Sequence, residues 1–208
     1  MSLRRSSAPI LLAGLSLLLS GCQALYFLQG KGDKDADYTF PKDKRVLVFV
    51  DSPPSVILPT TYATTLGNDI SDHLFKNKAT ENIVAQDHLN VMRSDPTFSK
   101  LGDADIARAT NADIILYVNI TTFNVGITGG EAVTQGDAQA MVKVVSKSGQ
   151  HLWPPNEPAG VSVQAHVDES LADSRDQDAT VKEISKLLTV RIGRMFHKYS
   201  LDDPDMTK

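Results

Sequence analysis

A single cysteine, Cys22, is the whole thiol content of the 208 residues. No disulfide can form within the chain, so the fold must rest on its apolar core in any redox compartment. Long apolar runs are scarce too. The most apolar stretch, residues 10–19, is well short of the roughly 20 residues that a membrane-spanning helix needs. Excess basic charge is missing, since the formal net charge is −4. That balance excludes the positive footprint of a nucleic-acid surface and the polybasic patch that binds acidic lipid. Recognisable catalytic spacing is missing as well. The five histidines, His73, His88, His151, His166 and His197, have no partner at metal-ligand spacing, and no Gly-x-Ser-x-Gly elbow occurs. Carboxylates are plentiful but scattered. Asp103 and Asp105 sit where a helix is expected to start, and acids there complement the helix dipole. No metal, no cofactor and no catalytic residue is predicted, and the chain reads as a non-enzyme.

What is present begins at Leu19, Ser20, Gly21 and Cys22. Arg4 and Arg5 form a basic start, residues 10–19 an apolar middle, and Ser20 and Gly21 a small pair that a peptidase can accept. The pattern resembles the bacterial lipoprotein signal. The resemblance implies cleavage between Gly21 and Cys22, with Cys22 lipidated as the first mature residue. Residues 1–21 then form the signal peptide. Its loss removes only the charges of Arg4 and Arg5, which takes the formal charge from −4 to −6. Gln23 follows the cysteine in place of an aspartate, which by the same resemblance implies the outer membrane. The expected setting is the cell envelope, with the chain lipid-anchored and facing the periplasm.

Residues 22–44 read as a flexible tether, rich in Gly, Lys and Asp between Gly30 and Asp37. Fully extended it reaches on the order of 75 Å, and as a coil roughly 25–30 Å. Residues 45–199 carry the periodic patterns of a domain, and 200–208 read as a disordered tail. Residues 45–51 are continuously apolar, the mark of a central strand covered on both faces. Pro53 and Pro54 end it. Val56, Ile57 and Leu58 follow, apolar but bounded by proline. They are expected to pack over the sheet edge or, with Pro53 and Pro54, to form an exposed partner surface.

A helix is predicted over residues 60–78, where Ala63, Leu66, Ile70 and Leu74 recur at helical spacing. A short second strand is predicted over 82–86, a helical turn over 87–93, and a short helix over 103–111 with Asp103 as its N-cap. Residues 112–125 form the longest expected strand, with Ile114, Leu116, Val118 and Ile120 on one face and Ile115, Tyr117 and Phe123 on the other. Residues 126–136 are glycine-rich but lack the Lys-Ser/Thr of a phosphate loop, so they read as a hairpin connection. Residues 137–147 and 160–168 alternate apolar and polar, the second with Ser162, Gln164 and His166 toward water. A return strand begins at 150–153. The last helix is expected over 174–199, with Ser174 and Gln177 as a capping box and a stripe through Val181, Ile184, Leu188, Ile192, Met195 and Phe196.

The fold class is therefore α/β (α+β): a single three-helix domain on a mixed, roughly five-stranded sheet, in the order β-α-β-α-β-β-β-α. With the residues 46–50, the helix through Leu66, Ile70 and Leu74, and the junction 107–118 in place, the domain resembles the periplasmic α/β domain of the TolB amino-terminal, CsgG and LpoB families. Two departures limit what carries over. A CsgG-like pore uses long membrane hairpins, and an LpoB-like activator a long spanning linker; this chain shows neither. The resemblance implies a fold and an envelope setting. The expected function is a membrane-anchored, non-enzymatic adaptor or assembly factor. It would bind an envelope protein, or itself, through the sheet edge or the loop at 53–59. A small-ligand or glycan-binding module using residues 126–136 and the open sheet face is the alternative, and a hydrolase with dispersed carboxylates a third.

Overall fold

Strand β2 (Val46–Asp51) is the axis of the structure, a computed structural model that describes residues 32–59, 61–128, 133–167 and 177–201. It pairs in parallel with β3 (Ile114–Thr128) over the register Val46 to Ile114 through Asp51 to Asn119. β3 turns antiparallel into β4 (Val133–Ser146). β4 then carries two short neighbours on its far side: β5 (His151–Trp153) opposite Val144 and Val145, and β6 (Val161–Val167) opposite residues 136–142. The sheet is mixed and five-stranded, as the alternation patterns predict. A separate two-stranded ribbon pairs β1 (Asp33–Lys34) with β7 (Tyr199–Ser200), with Lys198 Nζ 3.1 Å from Asp33. The two-residue strands β1 and β7, together with Lys198, belong to a small unit of their own, while residues 36–197 form the main unit.

The main sheet is covered on both faces where β2 and β3 lie. Val46, Val48, Val50, Ile114, Leu116, Val118 and Ile120 face helices α1 (Tyr62–Lys76) and α4 (Gln177–Gly193). Leu47, Phe49 and Ile115 face α2 (Asp87–Arg93) and α3 (Asp103–Thr110). That two-sided burial is why residues 46–50 show no alternation. On α1 the residues Tyr62, Leu66, Ile70 and Leu74 come round every fourth position and are all buried. The outer half of the second face, on β4 and β6, carries Ser162, Gln164 and His166 exposed, as their alternation predicts.

Four α-helices are present among the described residues, one more than expected, because residues 87–93 form a full helix. The predicted strand at 82–86 contracts to one bridge, Ile83 with Val46. Beyond it the chain leaves the sheet, and side chains take over the edge. Gln86 Nε2 donates to the Val48 carbonyl at 2.7 Å, and Arg93 donates to the Val50 carbonyl at 2.5 Å. Gly102, extended in conformation, is the N-cap of α3, so Asp103 moves into the first turn. A register shift between Ile120 and Thr122 turns the rest of β3 over, which puts Phe123 on the α1 side, 4.6 Å from the Tyr62 ring. The last helix stops at Gly193 and continues as a 3-10 turn, Arg194–Phe196. Ser174 of the expected capping box, the signal and Cys22 lie outside the described residues, as do residues 202–208 of the expected tail.

The tether assignment changes where it meets the core. Phe40 is 2% exposed and stacks on Phe196 at 5.0 Å, while the Asp37 and Tyr38 amides both donate to the Met195 carbonyl, at 2.8 and 3.0 Å. Two aromatics among polar residues pack as a small cluster with Trp153, so ordered structure in the main unit begins near Ala36 rather than after Lys44. The chain thus enters the main unit beside its exit. That end also holds the starts of β2 and β3 and the ends of α1 and α4. The opposite end holds residues 52–59, the starts of α1 and α4, and the far part of the β3–β4 ladder.

Candidate functional site

The loop at 53–59 leaves β2 at that opposite end. A turn closes at its start, where the Val56 amide donates to the Pro53 carbonyl at 2.9 Å. A second closes at its end, from the Tyr62 amide to Pro59 at 2.9 Å. Proline fixes φ at three of its positions, Pro53, Pro54 and Pro59. Val56 and Leu58 are half-buried and packed against the core. Ile57 between them is 88% exposed. The packed and the exposed positions of this stretch thus fall on different residues. Val56 and Leu58 cover the sheet, and Ile57 is held out between them, with Pro54 exposed and Pro53 half-buried. No charged residue occurs from Ser52 to Tyr62, so an apolar side chain is presented on an uncharged strip.

Beside the loop, at the carboxyl ends of the parallel pair, lies a polar cluster. The Tyr117 hydroxyl donates to Asp51 Oδ2 at 3.3 Å. Burial pushes the Tyr117 phenol well above its usual range, and the Asp51 carboxylate adds to the shift, so the hydroxyl stays a donor. Arg93 lies over the Phe49 ring at 5.6 Å and bonds to the Val50 carbonyl and, at 3.4 Å, to the Thr64 hydroxyl. Burial lowers the Arg93 pKa, with Asp51 opposing that shift. Every group in this cluster has a structural partner, and its arrangement supports the loop base.

On two edge strands, backbone carbonyls already have side-chain partners. Val48 and Val50 are engaged on the β2 side, and Arg191 of α4 donates to the Gln164 carbonyl on β6. Charged and amide side chains of this kind keep an edge from pairing with another chain. The glycine-rich stretch 126–136 is also not an open loop. Val125 pairs with Gly136 and Gly126 with Gln135, so most of it is ladder. Residues 129–132 lie outside the described residues.

A groove of about 720 Å³ runs between α1 and α4. Asp69, Asp72 and His73 line it from α1, and Glu183, Lys186 and Thr189 from α4. Burial pushes the Asp69 carboxyl up, and Asp72 beside it adds to the shift. Asp72 pairs with Lys76 at 3.9 Å and Glu183 with Lys186 at 3.7 Å. Exposed pairs one turn apart on a helix are ordinary surface features. At the closed end of α1, His73 Nε2 lies 3.0 Å from His197 Nε2. Sequence reasoning missed that pair because 124 positions separate its members. On the open sheet face His166 Nδ1 meets Asp137 Oδ1 at 2.5 Å, a cross-strand pair set by the β4–β6 register.

Among the described residues no group of three or more His, Cys, Asp or Glu is placed to hold a metal, and no helix is long and apolar enough to cross a membrane. No family model matches the chain, and no curated protein matches it in sequence. Among solved structures it is similar to the PelC dodecamer from Paraburkholderia phytofirmans, at 12% identity over 80% of this chain and 97% of that one, with a TM-score of 0.41. Lipoprotein GNA1162 from Neisseria meningitidis is similar at 11% identity over 73% and 98% of the two chains, with a TM-score of 0.42. A minor lipoprotein from Acinetobacter baumannii is similar at 15% identity over 75% and 92%, with a TM-score of 0.37. Two of these three solved structures are thus bacterial lipoproteins, and at such identities none of them fixes a function for this chain.

Proposed function

We propose that the chain is a non-enzymatic envelope lipoprotein, anchored through lipidated Cys22 in the outer membrane and facing the periplasm, that docks a second envelope protein on the loop at 53–59. The observation that carries this reading is Ile57, 88% exposed between two residues that pack on the core. A side chain of that size held out on a proline-framed loop meets a partner at little entropic cost, because the loop is already ordered. Its position fits a tethered protein. The main unit takes the chain in at Asp37 beside Met195, and the loop lies at the other end of β2, directed away from the point of entry. Edge pairing is the less favoured route to a partner, since the carbonyls of Val48, Val50 and Gln164 are already engaged.

The test is site-specific photo-cross-linking in cells, with the probe at position 57 and, as a control, at Lys182 on α4. A discrete heterologous adduct, or a dimer of this chain, seen from position 57 and not from position 182 is the expected result. Equal labelling from both sites, or none from position 57, would remove the loop as a docking surface. Metabolic labelling with a fatty-acid analogue, lost on Cys22→Ser, checks the anchor separately.

A second reading has its own observation. The α1–α4 groove has the volume of small-ligand sites, which run from roughly 300 to 1,000 Å³. A ligand there would raise the melting temperature of the purified protein in a panel of muropeptides and glycans. No shift across the panel would discard this reading.

A further inference from the structure

The His73–His197 pair is built, not incidental. His73 sits in the last turn of α1, and His197 follows the 3-10 turn that ends α4. Their Nε2 atoms face each other at 3.0 Å, with ring centroids 5.1 Å apart and planes inclined by 39°. The His73 ring has room only because residue 193 is glycine. A Cβ on Gly193 would come within 2.1 Å of His73 Cδ2 and 2.6 Å of its Nε2. Both residues are only half-exposed, and His73 also lines the α1–α4 groove.

We propose that His73 and His197 form a two-imidazole site for a borderline divalent transition-metal ion such as Cu2+. Metal–imidazole bonds are about 2.0–2.1 Å long. Two such bonds to nitrogens 3.0 Å apart enclose an angle of about 95°, while a tetrahedral ion would need them about 3.3–3.4 Å apart. The 3.0 Å spacing is that of an N–H···N hydrogen bond and lies within a few tenths of an ångström of either geometry, so the class of ion rests on the affinity of imidazole for borderline metals. In the metal-free pair one Nε2–H donates to the other Nε2. On binding, that proton leaves Nε2, for Nδ1 of the same ring or for solvent, so that both Nε2 lone pairs go to the metal. Among the described residues no group of three or more His, Cys, Asp or Glu is placed to hold an ion, so the site is argued on the two imidazoles. The ion would fasten the end of the main unit to α1, with His197 two residues from the Met195 carbonyl that receives the incoming chain.

The experiment is a Cu2+ titration of the full, untagged chain carrying Cys22→Ser to remove the thiol, read by pulsed electron paramagnetic resonance and by isothermal calorimetry. One tight equivalent with two coupled imidazole nitrogens is expected. His73→Gln and His197→Gln should each leave one coupled nitrogen or none, and weaken binding by about tenfold or more, with unchanged circular dichroism. A single-imidazole spectrum for the parent protein would overturn the proposal without recourse to any variant. So would a two-imidazole spectrum that survives either substitution, since His88, His151 or His166 would then be the ligands.

Discussion

Arg93 closes the outer edge of β2 by donating to the carbonyl of Val50 at 2.5 Å, two rows along from the bond that Gln86 makes to Val48. A side chain here does the work of a neighbouring strand. Replacing Arg93 with alanine leaves a carbonyl at the sheet edge unpaired and uncovers the Phe49 ring. We expect a loss of about 1–3 kcal/mol in urea denaturation, together with concentration-dependent association in light scattering as the edge becomes available. A variant that is equally stable and monodisperse would show that Arg93 does not guard the edge.

Gly193 and His73 should be coupled. Gly193→Ala forces a Cβ against the His73 ring, and overpacking of this kind costs about 1–3 kcal/mol. In the background His73→Ala the same substitution has space, so its cost should largely vanish. A double-mutant cycle on chemical denaturation measures the difference. Additive effects would mean that the clash is relieved by movement of α4 instead.

The loop at 53–59 separates display from support. Ile57→Asp should alter stability by less than about 0.5 kcal/mol, as exposed substitutions do, yet abolish the cross-link from the adjoining residues. Leu58→Ala should cost about 1 kcal/mol or more through lost packing. If Ile57→Asp destabilises the fold as much as Leu58→Ala, the side chain is structural.

The Tyr62 hydroxyl is buried without a hydrogen bond of good geometry, although Ser185 lies beside it. Burial pushes this phenol up to about 12. Its folded pKa exceeds the unfolded value near 10, so its contribution is complete below pH 10 and is lost as pH rises toward 12. Tyr62→Phe should therefore be neutral or slightly stabilising at pH 7 and should shift alkaline unfolding to higher pH. A pH titration of the urea midpoint reads both effects.

Asp113 has the opposite sign. Its carboxylate accepts the Arg45 amide at 3.2 Å and lies 3.5 Å from Lys147, and the Arg45 hydrogen bond is the larger cause of its lowered pKa. A depressed carboxylate contributes stability above its unfolded value of about 4, and that stability is lost as pH falls through the folded value. Asp113→Asn should flatten the acid limb of the stability profile and leave the alkaline limb unchanged.

Much of this fold is legible in residue order because periodicity and burial coincide. The two-sided apolar run at 46–50, the fourfold spacing of Leu66, Ile70 and Leu74, and the alternation through β4 and β6 each identify an element and the face it buries. The failures share one physical cause, which is that they depend on residues distant in sequence. Residues 82–86 look like a strand, yet Gln86 and Arg93 satisfy the edge with side chains and the backbone leaves. Phe123 changes face because of a register shift that no local pattern announces. Tyr38 and Phe40 sit in polar company, and only Phe196 and Trp153, far along the chain, give them a place to pack. The histidine pair is invisible for the same reason. The loop at 53–59 was legible as a candidate because proline and an uncharged apolar run are local signals.

The entry of the chain beside its exit also determines how the main unit bears a pull. Tension arriving through the residues before Asp33 loads the short β1–β7 pairing first and then the two amides held by Met195, which can peel away one at a time. It then reaches β2, whose six residues run parallel to β3 and load their whole ladder along its length. A weak clasp in series with a shear-loaded strand yields slack before it yields structure, so the unit can be tugged without unfolding.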